Sequence, residues 1–452
     1  MSFNSMLFLW LFLPLCLAVY WLCHGRGRKA ALLGLSLFYW AWNDPYHVII
    51  VLAVCLIIYG LARQMDKAAG NSRRAWLGAG VVLSLGMLVF CRCAPLMDGS
   101  KPWLLVPAGI SFISFSLVSF LMDLYRGQTE FPVSPADFII YIAFFPKLLM
   151  GPIASARDFS AAVSEEKQFA AEQFAGGVRQ YAFGLGKKVL IADVLALVVK
   201  RTFGDIAALT TGAAWVGALC YMLQIYYDFS GYSDMALGIS RMLGIELKKN
   251  FDYPYLSGSI TEFWRRWHIS LGTWFRQYLY IPLGGNRKGQ ARTYFNLMMV
   301  FLATGIWHGT GMNYLLWGVL NGVLVVIERM GLLRLLQKSR FVSRLYAGFA
   351  VLIGWVLFRA ENAAAALAYY RKMFLPCTGT LTAAQLLQPK VILLMFLGFA
   401  GSGFLQESLS RLTGKKSSGL DHAVNFIVVI LLALSIMGMV SGTFQSFIYA
   451  QF

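Results

Sequence analysis

The sequence predicts an all-α, polytopic integral membrane protein, and composition, segment length and charge placement each point there. Of its 452 residues 58% are hydrophobic and only 13% are charged, with a mean hydropathy of +0.62, more apolar than a soluble core requires. The apolar residues recur in segments of roughly 16 to 22, the length that carries a helix across the hydrocarbon layer. The formal net charge of +18 would suit nucleic acid if it formed one patch. Instead the basic residues gather in short loops between apolar segments, the positive-inside pattern, so membrane lipid and not nucleic acid is the expected surrounding.

Candidate spans fall near 5–23, 28–43, 47–64, 75–91 and 104–125. Arg26, Arg28 and Lys29 follow the first, and Arg63, Lys67, Arg73 and Arg74 follow the third, which places both loops in the cytoplasm and the N-terminus outside. The apolar run from Met6 to Cys23 has no basic residue before it and no small-residue cleavage site after it, so it reads as a retained span and not a signal peptide. The stretch Tyr141 to Pro152 is apolar but short and interrupted by Pro146, Gly151 and Pro152, as a re-entrant or interfacial segment would be. Residues 157–180 mix charges with phenylalanines like a solvated surface helix, and spans resume near 181–200 and 213–229.

From Ile245 to Arg292 no clean span is visible, and eight basic residues against three acidic ones leave the block at +5. It should lie at the cytoplasmic face or dip inward, because irregular backbone at membrane depth survives only where protein or a wet cavity covers it. Segments 293–308 and 312–327 then form an apolar pair broken at Gly309-Thr-Gly311. A basic loop follows, with Arg329, Arg334, Lys338, Arg340 and Arg344, and spans near 345–358, 388–408 and 422–441 bring the total to about twelve crossings. The connection from Arg411 to Lys416 is again basic, leaving the C-terminus outside. No repeat and no soluble domain is visible, so 1–452 reads as one membrane domain: N-terminal spans to 125, re-entrant, interfacial and core helices from 126 to 292, and a histidine hairpin with C-terminal spans from 293.

Ionisable groups at membrane depth are costly and mark working sites. His268 closes the run EFWRRWH from Glu262, and His308 ends an apolar segment beside Trp307 with two glycines after it. Read as one helix, 261–280 puts Trp264, Trp267, His268, Leu271, Trp274, Phe275 and Tyr278 on one face, with Glu262 four residues before Arg266 in the favourable order for an ion pair. Tryptophans anchoring an interfacial helix and arginines meeting lipid headgroups explain the same residues. Pro282 should end that helix, and Gly284 and Gly285 would supply backbone freedom and two free N–H groups beside Arg287, Lys288 and Arg292, where a phosphate-rich ligand could sit. A histidine in an apolar segment is commonly a packing residue, but burial keeps it neutral and able to take a proton near pH 7. Asp228 and Asp234, interleaved with Ser230 and Ser233, form a third cluster, in which a helix cap at Ser230 or Ser233 accounts for the serines better than for both aspartates.

Other chemistries lack their signatures. The five histidines, His24, His47, His268, His308 and His422, show no HxxxH or HxH spacing for a metal, and the seven cysteines no CxxC pair, so the cysteines read as small buried apolar residues. Neither a GxSxG elbow nor a GxxxxGK[ST] loop is present.

Several long motifs, in order, resemble the membrane-bound O-acyltransferase family, and within it the bacterial branch typified by the membrane subunit of alginate O-acetylation. They are YDFSGYSDMA from Tyr227 to Ala236, SITEFWRRWHIS from Ser259 to Ser270, Trp274-Phe-Arg276, YLYIPLGGNR from Tyr278 to Arg287, and Trp307-His308-Gly309. Flanking pieces agree: Pro107 to Phe112, Phe144 to Lys147 with Gly151-Pro152, Lys187 to Asp193, Gly354 to Ala360 and the ending FIYAQF from Phe447. The resemblance implies a ring of about twelve membrane helices, with re-entrant and interfacial helices around a central tunnel, in the cytoplasmic membrane of a bacterium. It makes His308 the catalytic histidine and His268 the second functional one, with Trp264, Trp267, Trp307, Asp228, Asp234 and Asn321 in support. Where many relatives carry a histidine before a glycine after the active-site span, this chain has Asn321-Gly322.

The activity so implied is acetyl transfer from cytoplasmic acetyl-CoA, whose phosphates Arg265, Arg266, Arg276 and Arg287 would hold, to a cell-surface polysaccharide. The last step implies a separate extracytoplasmic acetyltransferase of the serine-histidine (SGNH) hydrolase type, working beside the polysaccharide synthesis machinery. Two rivals remain open at this point: a D-alanyl exporter for teichoic acid fed by an acyl-carrier protein, and a transporter or flippase whose histidines relay protons.

Overall fold

The computed structural model of the chain describes residues 1–94, 105–130, 134–164, 168–404, 418–441 and 447–448. Apart from turns and one isolated parallel bridge between Leu209 and Leu381, the described residues with regular structure are helical. The principal helices are α1 (Phe8–Leu22), α2 (Gly25–Asn43), α3 (Val48–Lys67), α4 (Gly70–Cys93), α5 (Ile110–Tyr125), α6 (Pro135–Ala143), α7 (Ala156–Ser164), α8 (Ala171–Gly186) and α9 (Asp193–Gly204). They continue with α10 (Thr211–Met242), α11 (Ile260–Arg266), α12 (Ile269–Phe275), α13 (Gly289–His308), α14 (Met312–Ile327), α15 (Arg340–Arg359), α16 (Ala363–Phe374), α17 (Pro389–Phe399) and α18 (Ser418–Val440). Helices follow from the apolar runs because a helix satisfies its backbone polar groups within one segment, as hydrocarbon demands. By length and composition α3, α4 and α15 can each cross a membrane, and Phe8–Leu22, Ile110–Tyr125, Pro389–Phe404 and Val424–Val440 are apolar but shorter.

Two compact units divide the described chain: residues 1–182 with 232–249, and residues 183–231 with 250–448. In the first, Phe3 stacks on Tyr232 at 4.9 Å and accepts a hydrogen bond from Tyr181 at 2.7 Å through its carbonyl. The break expected in 141–152 is present: α6, started by Ser134 as cap and Pro135 at its first position, stops at Ala143, and a single buried turn, Phe145–Leu148, follows.

The second unit is organised by the antiparallel hairpin of α13 and α14, whose bounds fall close to the expected apolar pair. The two backbones approach so closely that a Cβ on Gly305 would lie 2.6 Å from the Tyr314 carbonyl, and one on Gly318 would lie 2.5 Å from that of Phe301. Glycine at both places is a packing requirement of this hairpin, the small-residue interface that lets membrane helices touch.

Four expectations are corrected. Residues 261–280 are not one helix: α11 ends at Arg266, Trp267 is extended, and His268 is left-handed (φ 46°, ψ 56°) before α12 starts. The groups orphaned by that break are satisfied from 250–252, with Asp252 N–H donating to the Arg266 carbonyl and Ile269 N–H donating to that of Asn250. Ser230 and Ser233 are not caps, because α10 runs through them to Met242. Gly284 and Gly285 do take positive φ (108° and 54°), but their N–H groups are spent inside the turn, on the carbonyls of Ile281 and Tyr280. Of the cysteines only Cys16, Cys55 and Cys220 are buried, and Cys93 is exposed. The basic stretch Arg411 to Lys416 and the closing motif beyond Ile448 lie outside the described residues.

Candidate active site

His308 is the last residue of α13 and is 4% exposed. Its ring lies edge-on to Trp317 of α14 (5.1 Å, 87°) and to Phe358 of α15 (4.8 Å, 84°), with Trp307 at 4.5 Å. Three helices thus converge on one imidazole, and the extended Gly309 lets the chain leave immediately after it.

Trp264 of α11 joins the tryptophan-arginine block to this hairpin. Its indole N–H donates to Oδ1 of Asn321 at 3.0 Å, while Nδ2 of Asn321 donates to the Trp317 carbonyl at 2.8 Å. The Trp264 ring also stands edge-on to Trp317 at 5.4 Å. Trp267, buried at the break after α11, stacks with Phe263 at 5.5 Å and lies 4.9 Å from Trp355.

His268 is buried in a different setting, against Phe229 (4.8 Å, 78°) and with Nδ1 3.2 Å from Oδ1 of Asn250. An aromatic path connects the two histidines: Phe229 to Trp267 at 6.5 Å, Trp267 to Trp355, Trp355 to Phe358 at 5.6 Å, and Phe358 to His308. His268 sits at the junction of two seven-residue helices, neither long enough to span a bilayer, and burial pushes its pKa down to about 3.

The arginines divide. Arg265 and Arg276 line one open cavity of about 410 Å³ together with Thr261, Tyr280 and Arg329. Among the described residues none of these three guanidiniums makes an ion pair, because the nearby carboxylates are committed elsewhere. Glu262 holds Arg266 at 2.7 Å and accepts from Gly258 N–H. Glu328, fully buried, accepts from the backbone N–H groups of Ile260 and Thr261 and from the Thr261 hydroxyl, anchoring the start of α11. Arg266 is therefore a structural cation that also donates to the Asp252 carbonyl, and Arg287 is exposed in the glycine turn. In the sequence Arg329 carries only a topology signal; its place beside Arg265 and Arg276 at the cavity comes from tertiary packing and has no local signature.

Asp228 belongs to another group. Its Oδ1 accepts from Lys188 at 2.6 Å and its Oδ2 from Ile448 N–H at 2.8 Å, while Lys188 also pairs with Asp193 at 2.7 Å and lies over the Phe447 ring. Asp234, on the same helix, falls in the first compact unit. Among the described residues no group of three metal-ligating side chains is assembled.

The chain thus holds a tryptophan-walled histidine at a helix end and, separately, a cavity lined by three arginines. Residues 35–367 match the model of the membrane-bound O-acyltransferase family. The chain belongs to that family. It is therefore a membrane-integral O-acyltransferase. Over its whole length it is 36% identical to the probable alginate O-acetylase AlgI of Azotobacter vinelandii, the alignment covering 100% of both chains. It is 31% identical to the peptidoglycan O-acetyltransferase of Helicobacter pylori, over 82% of this chain and 79% of that one. Similarity to the teichoic acid D-alanyltransferase of Bacillus subtilis is lower, 28% over 61% of this chain and 74% of the other.

Proposed function

We propose that this acyltransferase takes acetyl groups from cytoplasmic acetyl-CoA and passes them across the bacterial cytoplasmic membrane for O-acetylation of an extracytoplasmic polysaccharide such as alginate. The observation that carries this reading is the seat of His308, a buried imidazole held by rings from three helices at the end of a glycine-packed hairpin. The full-length likeness to an alginate O-acetylase, against a shorter and weaker one to a D-alanyltransferase, supports acetate over D-alanine as the cargo.

In this reading neutral His308 takes the proton of an acceptor hydroxyl as the oxygen attacks the thioester carbonyl. The new C–O bond replaces the C–S bond, and the departing CoA thiolate recovers the proton from the imidazolium. CoA phosphates rest against Arg265, Arg276 and Arg329, whose planar guanidiniums suit phosphate oxygens. A ring of about twelve helices around a tunnel would carry the group to the far face, with both termini outside. A separate SGNH-type acetyltransferase and the polymer-synthesis machinery would receive it there.

Radiolabelled acetyl-CoA supplied to the protein in vesicles tests the reading. Free CoA thiol and transferred label are expected, and both should vanish in His308→Ala while the protein stays folded and inserted. Turnover with D-alanyl carrier protein alone would replace the acetyl reading, and substrate flux without thioester cleavage would point to transport.

A further inference from the structure

His268 occupies the N-cap position of α12, yet its own side chain makes no cap bond there. Asn250 does that work from eighteen residues away. Its backbone carbonyl accepts from Ile269 N–H at 2.9 Å, and its Oδ1 accepts from Ser270 N–H at 3.1 Å and the Ser270 hydroxyl at 3.0 Å. The same Oδ1 lies 3.2 Å from Nδ1 of His268.

These contacts determine where the protons lie. A backbone N–H can only donate, so the amide atom facing Ser270 must be the carbonyl oxygen of Asn250 and not its NH₂. That oxygen carries no hydrogen, so the imidazole nitrogen facing it must supply one. A neutral imidazole has a single N–H, and the second nitrogen then keeps its lone pair.

We propose that Asn250 is a positioning residue that locks His268 in the Nδ1–H tautomer and so makes Nε2 its lone-pair nitrogen. Three further observations support the lock. The ring is 2% exposed and braced edge-on by Phe229. Its left-handed backbone, a strained conformation for a non-glycine residue, is held from Asn250 through both following residues. Burial favours the uncharged ring, which can carry only one of the two N–H groups.

The chemical consequence deepens the acetyl-transfer reading, on which it rests for its functional meaning. A neutral Nε2 can only accept a hydrogen bond, so any ligand group that meets it must be an N–H or O–H, such as an amide of a pantetheine arm or an acceptor hydroxyl. Neutral, it is no cation for phosphate, which leaves anion binding to the arginine cavity.

The tautomer can be read without any turnover. The full-length protein, labelled with [¹⁵N]histidine and placed in bilayers near pH 7, carries five histidines, and the His268 signals are assigned by their loss in His268→Gln. Solid-state NMR should find His268 with Nδ1 protonated and Nε2 bare. A bare Nδ1, or a doubly protonated ring, would overturn the inference whatever the activity. Asn250→Asp also keeps an oxygen facing Ser270 and His268, and should retain the proton on Nδ1. Asn250→Leu should mix the tautomers and cut kcat at least about tenfold. If Asn250→Leu, still folded, kept the single Nδ1–H form and full kcat, Asn250 would be only a helix cap. A correct tautomer in a protein that never cleaves acetyl-CoA would sink the acetyl-transfer reading and leave the proton assignment standing.

Discussion

Trp264 and Asn321, 57 residues apart in the chain, meet in a 3.0 Å hydrogen bond from indole N–H to amide oxygen. Asn321 is also fastened to the carbonyl of Trp317, whose ring walls His308. A displacement of α11 is therefore transmitted toward the histidine through one side chain. Trp264→Phe preserves ring contact with Trp317 but strips Oδ1 of Asn321 of its donor, which should lower stability by about 1–2 kcal/mol. The double variant with Asn321→Leu should cost less than the sum of the single ones, and thermal unfolding in detergent measures both.

His308→Ala should fold, because the pocket walls are aromatic side chains that remain in place, yet lose acetyl transfer by about 10²–10⁴-fold, the usual reach of a general base. Thiol release from acetyl-CoA is the assay. Wild-type turnover in the folded variant would remove His308 from the chemistry.

The arginine cavity makes a selective prediction. Arg265→Ala, Arg276→Ala and Arg329→Ala should each raise KM for acetyl-CoA about tenfold, worth about 1.4 kcal/mol, with less change in kcat and with added salt weakening the wild type similarly. Arg266→Ala, which breaks the Glu262 pair, should instead lower thermal stability and leave KM near normal. Equal KM effects from Arg266 and Arg329 would argue against one anion site at this cavity.

Acid should weaken the fold through His268. Its folded pKa of about 3 lies below the ~6.5 of an exposed histidine, so between these values the unfolded chain holds a proton that the folded chain does not. The stability reduced by this group is intact above about pH 7 and declines below ~6.5 by up to about 1.4 kcal/mol per pH unit. His268→Gln should flatten the acid limb of stability against pH between 7 and 5, and parallel curves for the two proteins would contradict the assignment.

Lys188 is the common partner of Asp193 and Asp228, and all three side chains are 1–2% exposed. Lys188→Met removes the cation shared by two buried carboxylates and should destabilise by about 3–5 kcal/mol. Asp228→Asn leaves the ammonium its bond to Asp193 and should cost less. Unfolding midpoints of the two variants, measured in the same detergent, decide the order.

Much of the site was legible because its signals are local. The apolar pair interrupted by Gly309-Thr-Gly311 became α13 and α14, and Glu262 with Arg266 formed the expected pair one helical turn apart. The break at Trp267-His268 was not legible, since helical spacing continues straight through it; its cause is the 250–252 segment, which takes up the freed backbone groups. Nor could local pattern reveal that Asp228 would be claimed by Lys188, forty residues earlier, or that Arg329 would face Arg265 across a cavity.

By itself the sequence determined a helical membrane protein and its family, and it proposed two histidines with their tryptophans as the site, because hydropathy, helical period and long ordered motifs are written along the chain. Only the tertiary structure decided which arginine is committed to a carboxylate and which faces the cavity, which rings enclose His308, and which nitrogen of His268 carries the proton. Those assignments depend on competition among groups far apart in the chain for a few partners in a buried, low-dielectric interior, and that competition is settled by packing.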